Sequence, residues 1–284
     1  MINYSIIIPF KGQFNLLNKA CASIPDRGDI QILIIDNNEI EPSNDIIKNN
    51  LLSAYKNSTI SYLFSSPNKG AGHARNIGLI NAVGKWVLFL DSDDYFSNTA
   101  FDLFDKYLNS SSDIIFFNIQ AYKVSTGQTS KRADYISKFI NNRNEDLLRY
   151  RCPTPYCKMI KSELIRKNSI MFDEVKVSND MFFSCLIGYT ANTVSIDNNV
   201  AYVVTEAEAN NSLTKQRTRD NQYIRYKIAV KINIYLEKIN KQDLKYPLIS
   251  FILRATAKFG IKEGYKYYKY ARLKKQNIFR GKRI

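Results

Sequence analysis

The chain of 284 residues is 45% hydrophobic, so it can bury a sizeable core and does not have the composition of a disordered protein. Its formal net charge of +15 is uneven, because residues 1–214 contain 21 basic and 22 acidic side chains whereas residues 215–284 contain 20 and 4. The four cysteines lack paired metal-ligand spacing and there is one histidine, which predicts reduced thiols and no zinc site. We see no leader and no apolar stretch of roughly 20 residues, so we expect a cytosolic protein without a membrane-spanning helix.

The first 96 residues alternate short apolar runs with helical patterns. The runs predict four strands, at Ser5–Pro9, Ile30–Asp36, Ile60–Phe64 and Trp86–Leu90. The patterns between them predict three helices, at Phe14–Ser23, Ser43–Tyr55 and Gly72–Val83. Continuous apolar strands separated by helices indicate an α/β fold with a mainly parallel sheet covered on both faces.

The pattern is less regular after residue 96. It predicts a strand at Asp113–Asn118, a polar loop with a short helix from Lys123 to Arg143, helices around Cys157–Lys167 and Asp180–Ile187, and a strand at Ile196–Val204. Beyond Asn210 it becomes helical and basic. We therefore predict a main domain over residues 1–214, with halves at about 1–96 and 97–214, and a basic, aromatic-rich helical extension over residues 215–284.

An acidic turn, Asp91-Ser92-Asp93-Asp94, directly follows the fourth predicted strand. Ligands of such sheets bind beyond the carboxyl ends of the strands, and Asp36 ends the second strand at the same edge. Carboxylates at i and i+2 in a loop can face one divalent cation, and an all-oxygen set favours Mg²⁺ or Mn²⁺ bridging substrate phosphates. The alternative is a solvated turn that caps the next helix.

A glycine-rich segment, NKGAGHARNIG at residues 68–78, precedes that strand. Its small residues allow close approach at a helix start, and Lys69 and Arg75 add positive charge, which suits a nucleotide diphosphate. The alternative is a helix start with a glycine-rich cap. Asp36 likewise has two interpretations, as a hydrogen-bond acceptor for a base or ribose and as a turn former.

In their order and spacing, the segments SIIIPF, ILIID, NKGAGHARNIGL and WVLFLDSDD resemble the family-2 inverting glycosyltransferases of the GT-A fold, a Rossmann-like sheet flanked by helices. The resemblance covers residues 3–96 in register and extends more loosely to about residue 215. It implies transfer of a hexose or N-acetylhexosamine from a UDP-sugar to a hydroxyl, with inversion and with Mn²⁺ or Mg²⁺ as cofactor. The implied product is a bacterial-type surface glycan such as lipopolysaccharide, capsule or O-antigen.

The resemblance also gives roles to single residues. Pro9 and Phe10 would line the nucleotide pocket, and Asp36 would bind uracil. Asp91 would contact the ribose or the metal, and Asp93 would be the principal metal ligand. The residues predicted to bind the nucleotide sugar are therefore Pro9, Phe10, Asp36, Lys69, Gly70, Arg75, Asp91 and Ser92.

A second acidic phrase, FDEVKVSNDMFF at residues 172–183, matches the phrase that carries the general base in the family. By position, Asp180 would take the proton from the acceptor hydroxyl, a contribution of about 10²–10⁴-fold. The chain departs from the family pattern at Asn179, which replaces an acidic partner, and in the loop after Asp36, which reads Asn-Asn-Glu. A late metal-ligand histidine of some relatives has no counterpart, because His73 is the single histidine and lies in the glycine-rich segment.

Residues 153–159 lie where relatives place an acceptor-binding segment. This position makes Tyr156 and Lys158 candidate acceptor residues, with packing and a solvated charge as the respective alternatives. Asn179 is a further candidate acceptor residue. The segment NSLT at residues 211–214 resembles one that closes over the donor phosphates, with Ser212 and Lys215 as candidates.

The extension interleaves tyrosines and phenylalanines with its 20 basic residues. Such a mixture suits an anionic membrane surface, where rings lie at the level of the headgroups, so we expect a cytoplasmic protein on the inner face of the cell membrane. The alternatives are a solvated appendage that packs its tyrosines on the main domain, and nucleic-acid binding. No nucleic acid is expected as a partner, because no recognition motif accompanies the basic residues.

Two other functions would account for part of these features. A sugar-nucleotide nucleotidyltransferase would share the strands and the acidic site, but it carries its glycine-rich signature right after the first strand, where this chain reads FKGQ. A non-enzymatic membrane or nucleic-acid adaptor would account for the extension but not for the aspartates. We therefore predict a glycosyltransferase that acts on a lipid-linked or polysaccharide glycan.

Overall fold

The computed structural model describes residues 1–12, 14–38, 54–66, 69–206 and 217–281. Its strands are β1 (Tyr4–Phe10), β2 (Ile30–Asp36), β3 (Thr59–Phe64), β4 (Trp86–Phe89), β5 (Tyr95–Phe96), β6 (Ile114–Lys123), β7 (Lys158–Lys161) and β8 (Val194–Glu206). Its α-helices are α1 (Phe14–Ala22), α2 (Gly70–Asn81), α3 (Ala100–Lys106), α4 (Asp134–Asn141), α5 (Glu145–Arg151), α6 (Ser162–Lys167), α7 (Asn179–Thr190), α8 (Arg219–Lys238), α9 (Leu248–Phe259) and α10 (Ile261–Leu273).

The strands form one mixed sheet in the order β3-β2-β1-β4-β7-β6-β8-β5. β1 runs parallel to β2 and β4, β2 to β3, and β6 to β8, whereas β7 is antiparallel to both its neighbours and β5 is antiparallel to β8. Every residue of β2 and β4 is buried, as expected for strands covered on both faces. The α/β fold predicted from continuous apolar strands is confirmed.

The helix predicted around Cys157–Lys167 is wrong in its first half. Lys158–Lys161 forms β7, which pairs with β4 on one side and β6 on the other, and the helix α6 begins only at Ser162. The four residues of β7 join the two halves of the sheet by pairing with strands that lie far away in the sequence. That long-range pairing overrides a local pattern that favours a helix.

Three predictions fall on residues outside the described part of the chain. The helix predicted at Ser43–Tyr55 lies there except for its last two residues, of which the first, Ala54, is helical. The predicted domain boundary at residues 214 and 215 lies there as well, and so do the candidate phosphate-binding residues Ser212 and Lys215.

The extension is helical, as predicted, and has a small core of its own between α8, α9 and α10. Tyr226 of α8 stacks on Tyr267 of α10 at 4.5 Å between ring centroids, and both rings are buried. Gly264 of α10 allows a close approach to α9, because a Cβ there would lie 1.8 Å from Thr256 Oγ1. A second cluster connects α8 to the main domain, where Ile228 and Ile232 pack with Tyr150 and Cys185.

Candidate active site

The parallel strands bring their carboxyl ends to one edge of the sheet. Phe10 at the end of β1 is opposite Asp36 at the end of β2, and Ile7 of β1 is opposite Phe89 at the end of β4. The acidic turn begins two residues after Phe89, so Asp91 lies beyond the same edge as Asp36. This edge is where ligands of open α/β sheets bind.

Asp94 holds the acidic turn in place. Its buried carboxylate accepts hydrogen bonds from the Tyr202 hydroxyl at 2.8 Å and from the Thr205 backbone N–H at 2.7 Å, both on β8. The turn is closed by the Asp94 N–H, which donates to the Asp91 carbonyl at 3.0 Å. Burial, together with the charges of Asp93 and Asp91, raises the pKa of Asp94 well above its usual range. Asp94 is therefore a structural member of the turn, which leaves Asp91 and Asp93 for ligands.

Arg75 joins three segments of the site. From helix α2 its guanidinium donates to Asp91 Oδ1 at 2.6 Å and to Asn179 Oδ1 at 2.9 Å, and it lies 5.4 Å from the centre of the Phe172 ring. Arg75 is 6% exposed. Burial opposes its positive charge, but the carboxylates of Asp91 and Asp180 prevail and raise the pKa of Arg75. The amide that replaces the family's acidic partner, Asn179, is thus a hydrogen-bond acceptor for this arginine.

Asp91 and Asp93 have the chemistry of a site for Mg²⁺ or Mn²⁺. Asp93 is exposed to solvent and does not line the cleft that contains Asp91. Desolvation by the surrounding protein and the charge of Asp91 raise the pKa of Asp93, while the charges of Arg132 and Arg75 oppose that rise. A divalent cation would relieve this repulsion. Among the described residues, no three His, Cys, Asp or Glu side chains form a metal-binding group. Two carboxylates fit an ion that takes its other ligands from substrate phosphates and water.

Asp180 faces a cleft of about 430 Å³ at the start of helix α7. Desolvation raises the pKa of Asp180, against the lowering effect of the Arg75 charge. A carboxylate with a raised pKa is a stronger base, which suits proton abstraction from a hydroxyl. The predicted residues that line this cleft are Arg75, Asp91, Tyr156, Asn179 and Asp180.

Sequence reasoning missed other residues that line the cleft, among them Arg132, Tyr135 and Arg225. Arg132 comes from the turn before α4, Tyr135 is the second residue of α4, and Arg225 comes from α8 of the extension. The basic charge of residues 131–132 was a weak signal for the first. No signal in the sequence distinguishes Arg225 from the other basic residues of the extension, because only folding brings α8 to the cleft.

The structure places the acceptor candidates Tyr156 and Lys158 in different surroundings. Tyr156 lines the cleft and stacks on Tyr202 at 4.5 Å between ring centroids. Lys158 is buried in β7, where its ammonium donates to the carbonyls of Cys152, at 3.0 Å, and Thr154. Lys158 does not line the cleft, because its ammonium ties the segment before β7 to the sheet.

The predicted donor residues have mixed surroundings. Asp36 is fully buried. Its carboxylate accepts a hydrogen bond from the backbone N–H of Asn38 at 2.8 Å and another from the Tyr62 hydroxyl. Phe10 is also buried, packed on Phe14 at 4.7 Å between ring centroids. The remaining candidates are at least partly accessible to solvent, namely Pro9, Lys69, Gly70 and Ser92.

The segment that carries Asp180 is clamped to helix α2. The side-chain amide of Asn76 accepts a hydrogen bond from the Phe172 backbone N–H at 2.8 Å, and it donates one to the Phe172 carbonyl at 3.1 Å. His73 Nδ1 lies 2.8 Å from Glu174 Oε1, a contact that lowers the pKa of Glu174. His73 therefore positions the second acidic phrase.

Gly72 makes this clamp possible, and replacing it should loosen the site. A Cβ at Gly72 would lie 2.3 Å from the Asp173 carbonyl oxygen and 2.9 Å from Asn179 Cβ. We expect Gly72→Ala to destabilise the protein by about 1–3 kcal/mol through overpacking, measured by urea unfolding. Gly28→Ala is the matched control, because the nearest atom to its Cβ would be 4.0 Å away. Equal stability of the two variants would show that α2 does not need this close approach.

Comparison with known proteins gives the family of the chain. Residues 5–168 match the model of glycosyl transferase family 2. The chain belongs to this family. An uncharacterised glycosyltransferase of Mycoplasma genitalium is 31% identical over 208 residues, which are 70% of this chain and 66% of that protein. The poly(ribitol-phosphate) β-N-acetylglucosaminyltransferase TarP of Staphylococcus aureus is 26% identical over 273 residues, 89% of this chain and 80% of that protein.

Solved structures share the GT-A fold with this family member. Residues 1–349 of S. aureus TarS in complex with UDP-GlcNAc superpose with a TM-score of 0.63 at 21% identity, covering 82% of this chain and 67% of that one. The mannosyltransferase PcManGT of Pyrobaculum calidifontis, in complex with GDP-Man and Mn²⁺, superposes with a TM-score of 0.56 at 14% identity, covering 95% of this chain and 75% of that one. The chain spans 66% and 58% of the two first relatives, from M. genitalium and Haemophilus influenzae. Among the described helices, none has the length and hydropathy of a bilayer-crossing segment.

Proposed function

We propose that this family-2 glycosyltransferase transfers a hexose or N-acetylhexosamine from a UDP-sugar to a hydroxyl of a lipid-linked or surface-polysaccharide glycan, with inversion. The observation that carries the proposal is one cleft that contains both Asp180, a carboxylate with a raised pKa, and Asp91 of the acidic turn. A general base and a diphosphate site must be neighbours for this reaction. TarP is named for transfer of β-N-acetylglucosamine to poly(ribitol phosphate), and TarS binds UDP-GlcNAc, which supports the choice of donor.

In the proposed reaction, the acceptor hydroxyl attacks the anomeric carbon as the bond from that carbon to the diphosphate oxygen breaks. The hydroxyl proton passes to Asp180, and the nucleotide diphosphate leaves on the opposite face of the sugar. Arg75 orients Asp91 through its 2.6 Å hydrogen bond. Asp91 and Asp93 would hold the Mn²⁺ or Mg²⁺, whose positive charge would offset the negative charge of the leaving diphosphate.

The test of the donor and the cofactor is calorimetric titration of UDP, GDP and CDP in Mn²⁺ and then in EDTA. We expect UDP to bind in Mn²⁺ and to lose most of its affinity in EDTA, since the diphosphate would be held largely through the metal. Absence of binding by all three nucleotides in both conditions would contradict the proposal.

We also propose that helix α10 of the extension rests on the anionic inner face of the cell membrane. Ile261, Tyr265 and Tyr268 are 80%, 63% and 40% exposed, and their spacing of four and three residues puts them on one helix face. Lys269 and Arg272 are exposed on the same helix. Apolar and aromatic side chains beside cations are the composition of a helix that lies in a membrane interface.

Replacing the exposed face of α10 should weaken membrane binding. We expect Ile261→Ser with Tyr265→Ser to lower the affinity for phosphatidylglycerol vesicles roughly tenfold or more, because each side chain loses apolar surface that the interface would bury. Cosedimentation measures the effect. Ile80→Ser with Val83→Ser is the matched control, since these side chains are 74% and 63% exposed on the main domain. Equal loss in both double variants would rule out α10 as the contact.

A further inference from the structure

A second cavity, of about 410 Å³, lies within the extension between α8, α9 and α10. Its walls include four cationic side chains, Arg217, Arg225, Arg254 and Lys258, and no described aspartate or glutamate lines it. Arg225 also lines the cleft that contains Asp180. The cavity and the catalytic cleft therefore lie on two sides of one arginine.

The charges around this cavity repel each other. Burial lowers the pKa of Arg225, and the positive charge of Arg217 lowers it further. Backbone carbonyls hold two of the other cations, because Lys258 Nζ donates to the Arg217 carbonyl at 2.9 Å and Arg254 Nε donates to the Ser250 carbonyl at 2.9 Å. An anion between these groups would relieve the repulsion.

Tyr267 supplies an independent sign of a ligand. Its side chain lines the cavity and is 1% exposed, and its buried hydroxyl has no hydrogen-bond partner within the described residues. Burying a hydroxyl without a partner is unfavourable, so such groups in native proteins call for an acceptor that arrives with a ligand or a water molecule. The phenolic O–H of Tyr267 and the guanidinium groups that line the same cavity are all donors that an oxyanion can accept from.

We propose that this cavity binds a phosphate group of the acceptor while the acceptor hydroxyl reaches Asp180 in the adjoining cleft. Phosphate fits because its several charged oxygens can accept from the forked guanidinium donors, the ammonium and the phenol together. The assignment to the acceptor rests on the proposed glycosyl transfer, but binding of phosphate by the cavity does not. Arg225, shared by both spaces, couples recognition of the phosphate to placement of the hydroxyl.

The test compares two double variants of the full chain that remove the same charge. Arg254→Gln with Lys258→Gln changes the cavity, whereas Arg166→Gln with Lys167→Gln changes exposed cations of α6 that do not line it. Inorganic phosphate is titrated at low ionic strength with and without saturating UDP and Mg²⁺. We expect the cavity variant to lose at least tenfold in phosphate affinity and the control to lose less than twofold. Equal losses would overturn the site, since they would reflect net charge alone.

Tyr267→Phe tests the site a second way, because loss of a hydroxyl with a purely structural role would not change the affinity for phosphate. We expect it to weaken phosphate binding severalfold while the melting temperature stays level or rises, because the hydroxyl has no described partner to lose. Unchanged phosphate affinity in this variant would remove the phenol from the site. UDP binding is measured in parallel, so failure of the donor proposal and failure of the phosphate site are separate results.

The source of the phosphate is decided by competition. Vesicles of phosphatidylglycerol that compete with inorganic phosphate in the wild type, but not in the cavity variant, would identify a lipid headgroup. Phosphate binding that depends on the cavity and is unaffected by vesicles would identify a soluble phosphate-bearing glycan.

Discussion

Asp180→Asn should lower the rate of sugar transfer by about 10²–10⁴-fold while UDP binding stays close to that of the wild type. The amide keeps the size of the carboxylate but cannot take the proton from the attacking hydroxyl. The charge lost is next to Arg75, which still has Asp91 as an ion-pair partner at 2.6 Å, so the site should remain assembled. The measurement is initial-rate transfer from a UDP-sugar at saturating donor, with calorimetry for UDP.

Asp173→Asn is the control for this variant. Asp173 belongs to the same acidic phrase, but it pairs with Lys231 of α8 at 2.6 Å and does not line the cleft. We expect its rate to change only a few fold. If Asp180→Asn retained nearly full activity, or if both variants lost it equally, Asp180 would not be the base.

The pH dependence of transfer gives a second measure of the same residue. The base must be ionised, and desolvation raises the pKa of Asp180. Activity is therefore present above that pKa and is lost as the pH falls through it. We expect the acid limb of the rate profile to lie at a higher pH than an ordinary aspartate would give, and to be missing from the residual activity of Asp180→Asn.

The edge of the sheet was predictable because it follows from local patterns. Asp36 and Asp91 each come after a continuous apolar run, and parallel strands necessarily bring such residues to one side. The proposed base, Asp180, was by contrast predicted through resemblance. Nothing local in residues 172–183 shows that Asn76 and Arg75 of α2 clamp this phrase beside the acidic turn, because those hydrogen bonds join residues about 100 positions apart.

Long-range packing also explains one prediction that the structure changed, for Lys158, and one cleft residue that the sequence did not reveal, Arg225. Lys158 is a charged residue in a polar-looking segment, and its burial depends on backbone carbonyls that point at it only after β7 joins the sheet. Arg225 is one basic residue among many, and its place beside the cleft depends on how α8 packs against Tyr150 and Cys185. Periodicity and composition carry no information about either contact.

Asp93→Asn should abolish most of the metal dependence of UDP binding without lowering stability. In Mn²⁺ we expect its affinity for UDP to fall to the value that the wild type shows in EDTA, because one of the two carboxylates proposed to hold the metal is lost. Desolvation and the charge of Asp91 raise the pKa of Asp93, so its ionised form is disfavoured in the folded protein. The neutral amide should therefore leave the melting temperature unchanged or slightly higher.

A variant of the neighbouring Asp94 distinguishes the loss of a metal ligand from the loss of the folded turn. Asp94→Ala would leave the Tyr202 hydroxyl and the Thr205 N–H without their buried acceptor, at a cost of about 1–3 kcal/mol for each group. Its melting temperature should fall, and UDP binding should fall with it in Mn²⁺ and EDTA alike. Asp102→Asn, an exposed carboxylate on α3, should change neither quantity. An Asp93→Asn variant that still bound UDP more tightly in Mn²⁺ than in EDTA would mean that the metal is held elsewhere, and the acidic turn would then be only a structural feature.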